Sequence, residues 1–182
     1  MSVFTNPASR SIEQAQAYTS AILDLLGSKD PMTVLPRTPD EVGRLVAGLS
    51  ERQLSHPELP GKWSIRQVVQ HLSDSELVWG YRLRLVLAQD RPSLTGYDQD
   101  LWAERLGYER APIEPAIENF TVLRRSNLGL LGAASAADLQ RVGVHSERGE
   151  ESVAHMIRMY AGHDLLHLAQ IARIRQVAER VA

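Results

Sequence analysis

Apolar residues recur at three- and four-residue intervals through most of the chain, the spacing that lines one face of an α-helix. Ile12, Ala15, Tyr18, Ile22 and Leu25 form one such stripe, with Ser11 as a cap and Gly27 as a stop; this predicts a helix running to about Leu26. Residues 28–37 carry turn signals, Asp30-Pro31 and Leu35-Pro36-Arg37. Thr38-Pro39-Asp40-Glu41 then reads as a helix start, Thr38 as cap and proline in the first position, ahead of Val42, Leu45, Val46 and Leu49. After a breaker-rich loop, Ser64 caps a long helix predicted from Ile65 to about Gln89, with Val68, Val69, Leu72, Trp79, Leu83 and Val86 on its core stripe. Residues 90–112 read as an irregular segment with a short turn at Gln99–Arg105, long enough to suit a functional lid.

A further helix is expected from about Pro115 to Leu131, and Ser135 to Asp138 start a short helical piece. Val142 to Gly149 alternate weakly and end in a charged turn. Ser152 or Glu151 opens the last helix, which extends to about Arg180. No strand–helix alternation and no G-x-G-x-x-G pattern points to a nucleotide-binding sheet. The predicted fold is all-α, four main helices in a bundle with short extra ones.

Composition narrows the chemistry. The 182 residues carry 20 basic and 22 acidic side chains, a net charge of −2, which argues against a nucleic-acid surface. Arg124-Arg125 and the pair Arg82/Arg84 are basic spots among apolar residues and read as helix surface. The chain has no cysteine, so disulfides, thiolate metal sites and cysteine nucleophiles are excluded. No stretch approaches a membrane span and the first ten residues lack a secretory signal pattern, so the expected location is cytoplasmic.

The candidate chemistry lies in three histidines. His163 and His167 are four residues apart on the last helix, about 40° apart around its axis, among Leu165, Leu166, Leu168 and Ile171. Such a partly buried pair is satisfied either structurally, by a carbonyl and a carboxylate, or by a metal on one nitrogen and an acceptor on the other. His71 lies on another long helix, so two facing helices can bring three imidazoles to one ion. Three nitrogens suit Zn, Ni, Fe or Co rather than Mg or Ca. Asp74, one turn after His71, is a fourth ligand or a general base, against the more favoured reading of a solvated or supporting carboxylate. Asp164 points about 100° from His163 and suits a salt bridge or the surface. His155, about 80° off, reads as structural and His56 as exposed, whereas His145 sits before a turn that can fold over a pocket. Tyr97 and Trp102, in the irregular segment, are placed to line a pocket mouth.

Several blocks together carry a resemblance: Gly61-Lys62-Trp63-Ser64-Ile65-Arg66-Gln67-Val68, then His71-Leu72 and Asp74-Ser75-Glu76, Tyr81-Arg82 and Arg84-Leu85, Tyr97-Asp98, Trp102-Ala103-Glu104, Tyr160-Ala161, and His163 with His167-Leu168-Ala169 and Ile171. In this order, over roughly residues 38–176, the chain resembles the DinB/YfiT-like family of metal-dependent enzymes, in the branch of YfiT and the bacillithiol S-transferases. The resemblance implies a four-helix bundle with a long crossover, a divalent metal held by His71, His163 and His167, and an N-terminal arm and extra helix over residues 1–35 ahead of a bundle domain at 36–182. It also implies a homodimer and a small-molecule substrate.

Three functions follow from that resemblance and site. The first expectation is transfer of a low-molecular-weight thiol such as bacillithiol to an electrophile, with Arg82, Arg84, Tyr97 and Trp102 contacting the cofactor. The second is hydrolysis at the same site with Asp74 as base. The third is a non-catalytic, stress-related metal-binding dimer.

Overall fold

The structure, a computed structural model, describes residues 12–180. Ser11, the expected first cap, lies outside the described residues. Four long helices dominate: α1 (Ile12–Leu26), α5 (Ile65–Ala88), α7 (Ile113–Gly132) and α8 (Val153–Ala178), with short α2 (Pro31–Val34), α3 (Thr38–Val46), α4 (Glu51–Leu54) and α6 (Gln99–Arg105) between them. Helix α8 packs on both α1 and α5, α5 also packs on α7, and α3 bridges α7 and α8. Among the described residues, no helix is long and apolar enough to cross a membrane.

The starts of α5 and α8 follow from their caps. The Ser64 hydroxyl accepts the Gln67 amide N–H while the Gln67 side chain accepts the Ser64 amide at 2.9 Å, a reciprocal capping box. Ser152 accepts the His155 amide N–H at 3.1 Å. Thr38 does not cap α3. Arg37 takes the cap position without a side-chain bond, and the Thr38 hydroxyl, buried, donates to the Val34 carbonyl at 3.2 Å. The turn signals at 28–37 contain the one-turn helix α2, which Asp30 caps.

Residues 142–152 are not a simple charged turn. Strand β1 (Ser93–Leu94) runs parallel to β2 (Val142–His145), with Leu94 opposite His145, and β2 forms a hairpin with β3 (Gly149–Ser152). This small sheet ties the irregular 89–112 segment to the entry of α8.

The N-terminal helix is present and packs on α8. Leu26 and Leu35 share one core with Trp79, Leu83, Met156 and Ala161. A Cβ at Gly162 would lie 2.1 Å from the Ile22 carbonyl oxygen, so α1 and α8 touch through backbone where only glycine fits. Helix α1 is one of the four bundle walls.

A second apolar cluster holds Val42, Ile65, Val68, Leu72, Phe120, Ile171 and Ile174. Between the two clusters all three central helices turn polar at the same height: His71, Ser75 and Glu76 on α5, Arg124 and Asn127 on α7, and His163, Asp164 and His167 on α8. Arg124, expected on the surface, is 2% exposed. It donates to Glu76 Oε2 at 2.8 and 3.0 Å, to Asp164 at 2.6 and 3.1 Å, and to the Leu35 carbonyl at 2.7 Å. Its guanidinium lies over the Phe120 and Trp79 rings at 4.8 and 5.7 Å. Asn127 holds the other Glu76 oxygen at 2.8 Å. Burial pushes the Glu76 carboxyl up, and Arg124 and Asn127 oppose that.

Removing one member of such a buried set strands the others. Arg124→Met is expected to lower unfolding stability by about 3–5 kcal/mol, read from the urea midpoint, whereas replacing Arg124, Glu76 and Asp164 together by apolar residues of similar volume recovers most of the loss.

Candidate metal centre

Helices α5 and α8 meet at the polar layer with three imidazoles pointing at one another. His71 Nε2 and His163 Nε2 are 3.1 Å apart, and His163 Nε2 and His167 Nε2 are 3.2 Å apart. A ligand nitrogen from each of the three lies within 4.8 Å of the others. Burial drives His71 and His163 far below the usual histidine range, and neighbouring histidine charge adds to it. Burial pushes His167 down to about 4, against Gln170 and Asp164. All three rings are therefore neutral near pH 7 and offer lone pairs.

These residues fit a divalent transition ion. Zinc–nitrogen bonds are about 2.0–2.1 Å, so nitrogens around one ion lie about 3–4 Å apart, as His163 Nε2 does from the other two imidazoles at 3.1 and 3.2 Å. The Gln170 carbonyl lies 2.8 Å from His167 Nδ1, placed to accept that N–H and leave Nε2 free to ligate. Ser75 Oγ stands 3.5 Å from His71 Nδ1 and 2.9 Å from the Tyr97 hydroxyl. His163 Nδ1 is buried without a partner among the described residues.

The centre opens on a cavity of about 80 Å³ whose walls come from five places, among them α8 with Met159, Tyr160 and His163. His71, Ser75 and Arg82 come from α5, and Tyr18 and Ile22 from α1. Tyr97 follows β1, and His145, Glu147 and Arg148 come from the β2–β3 hairpin. The hairpin is held by the Ser146 amide donating to Leu94 at 3.0 Å and the Gly96 amide donating to Ser146 Oγ at 3.1 Å. Gly96 leaves the space that Glu147 occupies, since a Cβ there would lie 2.6 Å from Glu147 Oε1.

The other expected site residues divide. Arg82 and Tyr97 line the cavity, and Arg82 is buried rather than on the helix surface. Trp102 packs against Tyr97, centroids 4.4 Å apart, without lining the cavity. Arg84 points elsewhere, to the Gly80 carbonyl and Asn127 Oδ1 at 2.8 Å each and to Ser126 at 3.1 Å. Asp74 accepts the Tyr108 hydroxyl and does not line the cavity, so it is not placed as a base there.

The carboxyl group that does face the cavity is Glu147. Its Oε2 is buried without a partner among the described residues, and burial raises its pKa against Arg148 and Arg82. Its only sequence signal is a charged turn just ahead of the histidine helix.

A helical bundle with three neutral imidazoles converging beside a polar cavity defines a class of metal-binding bundle proteins. Residues 35–171 match the profile of the DinB superfamily, and the chain belongs to that family. It is 32% identical over 138 residues to a Bacillus mycoides (strain KBAB4) protein and 31% identical to one from Bacillus cereus (strain 03BB102), each named "Putative metal-dependent hydrolase". Both alignments cover 76% of this chain and 79% of the relative. The fold is that of YfiT from Bacillus subtilis, with a TM-score of 0.76 over 96% of this chain and 93% of that one at 23% identity.

Two outcomes test the centre. His163→Ala is expected to abolish stoichiometric uptake of zinc, measured by elemental analysis after dialysis, with little change in helix content by circular dichroism. His145, outside the triad, is pushed down to about 3 chiefly by burial. In the unfolded chain it takes a proton near pH 6.5, so its contribution to stability is lost as pH falls from there toward 3. The stability of the wild type relative to His145→Gln should therefore decline on acidification, by at most about 1.4 kcal/mol per pH unit in urea titrations.

Proposed function

We propose that the protein is a divalent-metal-dependent hydrolase of small molecules, with His71, His163 and His167 as ligands and Glu147 as general base. One observation carries the reading: of three converging imidazoles, His71 and His163 line a cavity with Glu147, a carboxyl group whose Oε2 is buried without a partner among the described residues. A bound divalent ion supplies Lewis acidity and lowers the pKa of a coordinated nucleophile. Glu147 would serve as the base that takes a proton from that nucleophile; its Oε2 has no partner among the described residues, and burial raises its pKa. The imidazoles stay neutral throughout and act only as ligands. Gln170 holds the His167 ring in its orientation. The names of the Bacillus relatives support the hydrolytic reading.

Thiol transfer is the second reading, with bacillithiol or a similar thiol in place of water. In its favour, Ile22 and Met159 give the cavity an apolar side that suits a sulfur nucleophile, and the chain has no cysteine of its own. A panel of esters, amides and electrophiles assayed with and without bacillithiol separates the two. Turnover without thiol supports hydrolysis, and turnover that depends on thiol overturns it. Glu147→Gln is expected to lower kcat about 100-fold or more while metal content stays at the wild-type level. Unchanged kcat would remove Glu147 from the proposed role.

A further inference from the structure

Among the described residues three arginines are buried, and two of them are ion-paired. Arg66 pairs with Glu51, and Arg124 with Glu76 and Asp164. The third, Arg82, is 6% exposed and has no carboxylate within ion-pair distance among the described residues. The Thr95 carbonyl accepts one of its N–H groups at 2.5 Å, and the Tyr97 ring centroid lies 6.0 Å from its guanidinium carbon. A buried guanidinium normally carries an anionic partner, because its desolvation is otherwise uncompensated. Arg82 instead faces the cavity beside the triad.

A second donor on that wall is also unpartnered. His145 Nδ1 accepts the Glu147 amide N–H at 3.1 Å, which places the ring proton on Nε2. That Nε2–H is buried and has no partner among the described residues. His145 is 2% exposed, and its ring is on the cavity wall. The third basic group there, Arg148, is committed to Glu151 through two bonds at 2.5 and 3.0 Å. Glu147 shares this wall, and the Arg82 and Arg148 charges act on its carboxyl without an ion-pair contact to Arg82. The wall thus presents to a small space one cation outside any ion pair and one neutral N–H donor beside a single carboxyl, donors suited to a planar monoanion rather than to a phosphate dianion.

We propose that Arg82 and His145 form a receptor for a carboxylate, so that ligands of this site are small carboxylic acids anchored at the hairpin wall with their reacting group toward the three histidines. The statement about the reacting group rests on the hydrolytic reading above, whereas the receptor stands on Arg82 and His145 alone.

Binding of N-acetylglycine and its neutral counterpart N-acetylglycinamide to the full chain, zinc-loaded and again after chelation, tests the receptor by ligand-observed NMR. The acid is expected to bind about tenfold more tightly than the amide in both states, the size expected of a charge-assisted hydrogen bond. Arg82→Gln should erase the preference, and Arg82→Lys, which keeps the charge but loses the planar fork, should retain part of it. Should Arg82→Gln fail to fold, His145→Ala is expected to weaken the acid several-fold and leave the amide unchanged. Equal binding of acid and amide by the wild type overturns the receptor, as does a preference that survives Arg82→Gln. A preference that vanishes on chelation also overturns it, because the carboxylate would then sit on the metal. A chain that takes up no zinc yet prefers the acid refutes the metal reading and leaves the receptor standing.

Discussion

Arg124 is the interaction on which the rest of the structure depends. It reaches from α7 to Glu76 on α5 and to Asp164 on α8, and its carbonyl partner Leu35 belongs to the connection that crosses the bundle. Asp164 follows His163 in sequence, and Glu76 lies five residues after His71. A clamp at these positions sets the register of the two histidine-bearing helices within about one and a half turns of the histidines themselves. Apolar packing alone would tolerate sliding of one helix along another, since one leucine fits the place of the next. A guanidinium between two carboxylates does not tolerate it, because a shift of one turn strands buried charge.

That clamp makes the histidine cluster affordable in a layer without solvent. Three neutral imidazoles with His163 Nε2 only 3.1 and 3.2 Å from the other two cannot all satisfy one another, and His163 Nδ1 has no partner among the described residues. Local rules of polar satisfaction fail where a binding function overrides them. The two apolar clusters above and below supply the packing that holds the layer in place.

Much of the helical frame was legible in the residues. Periodicity located α5, α7 and α8, and Ser64 and Ser152 marked their starts because a hydroxyl before an apolar stripe has one common use there. The His71, His163 and His167 spacing pointed to one face of two helices. The hairpin was faint because four-residue strands carry almost no period. Arg82 and Arg124 looked like surface residues because periodicity reports which face is apolar and says nothing of a charge that other elements cover. Asp74 was a candidate ligand or base because it lies one turn from His71, beside the favoured reading of a supporting carboxylate; Tyr108, 34 positions later, claims its carboxylate. Glu147 could not be found by spacing at all, since its place beside the histidines arises only when β2 pairs with β1.

The cavity is made of two unlike materials. The three histidines belong to long helices locked by the buried ion network, whereas Thr95, Tyr97, His145 and Glu147 ride on a short parallel pairing and a three-residue hairpin loop. Descendants of this chain can therefore exchange what they recognise by redrawing two surface connections, leaving the reactive nitrogens and the scaffold beneath them untouched. Diversification of ligand preference and retention of chemistry are separable here because they are written in different parts of the backbone.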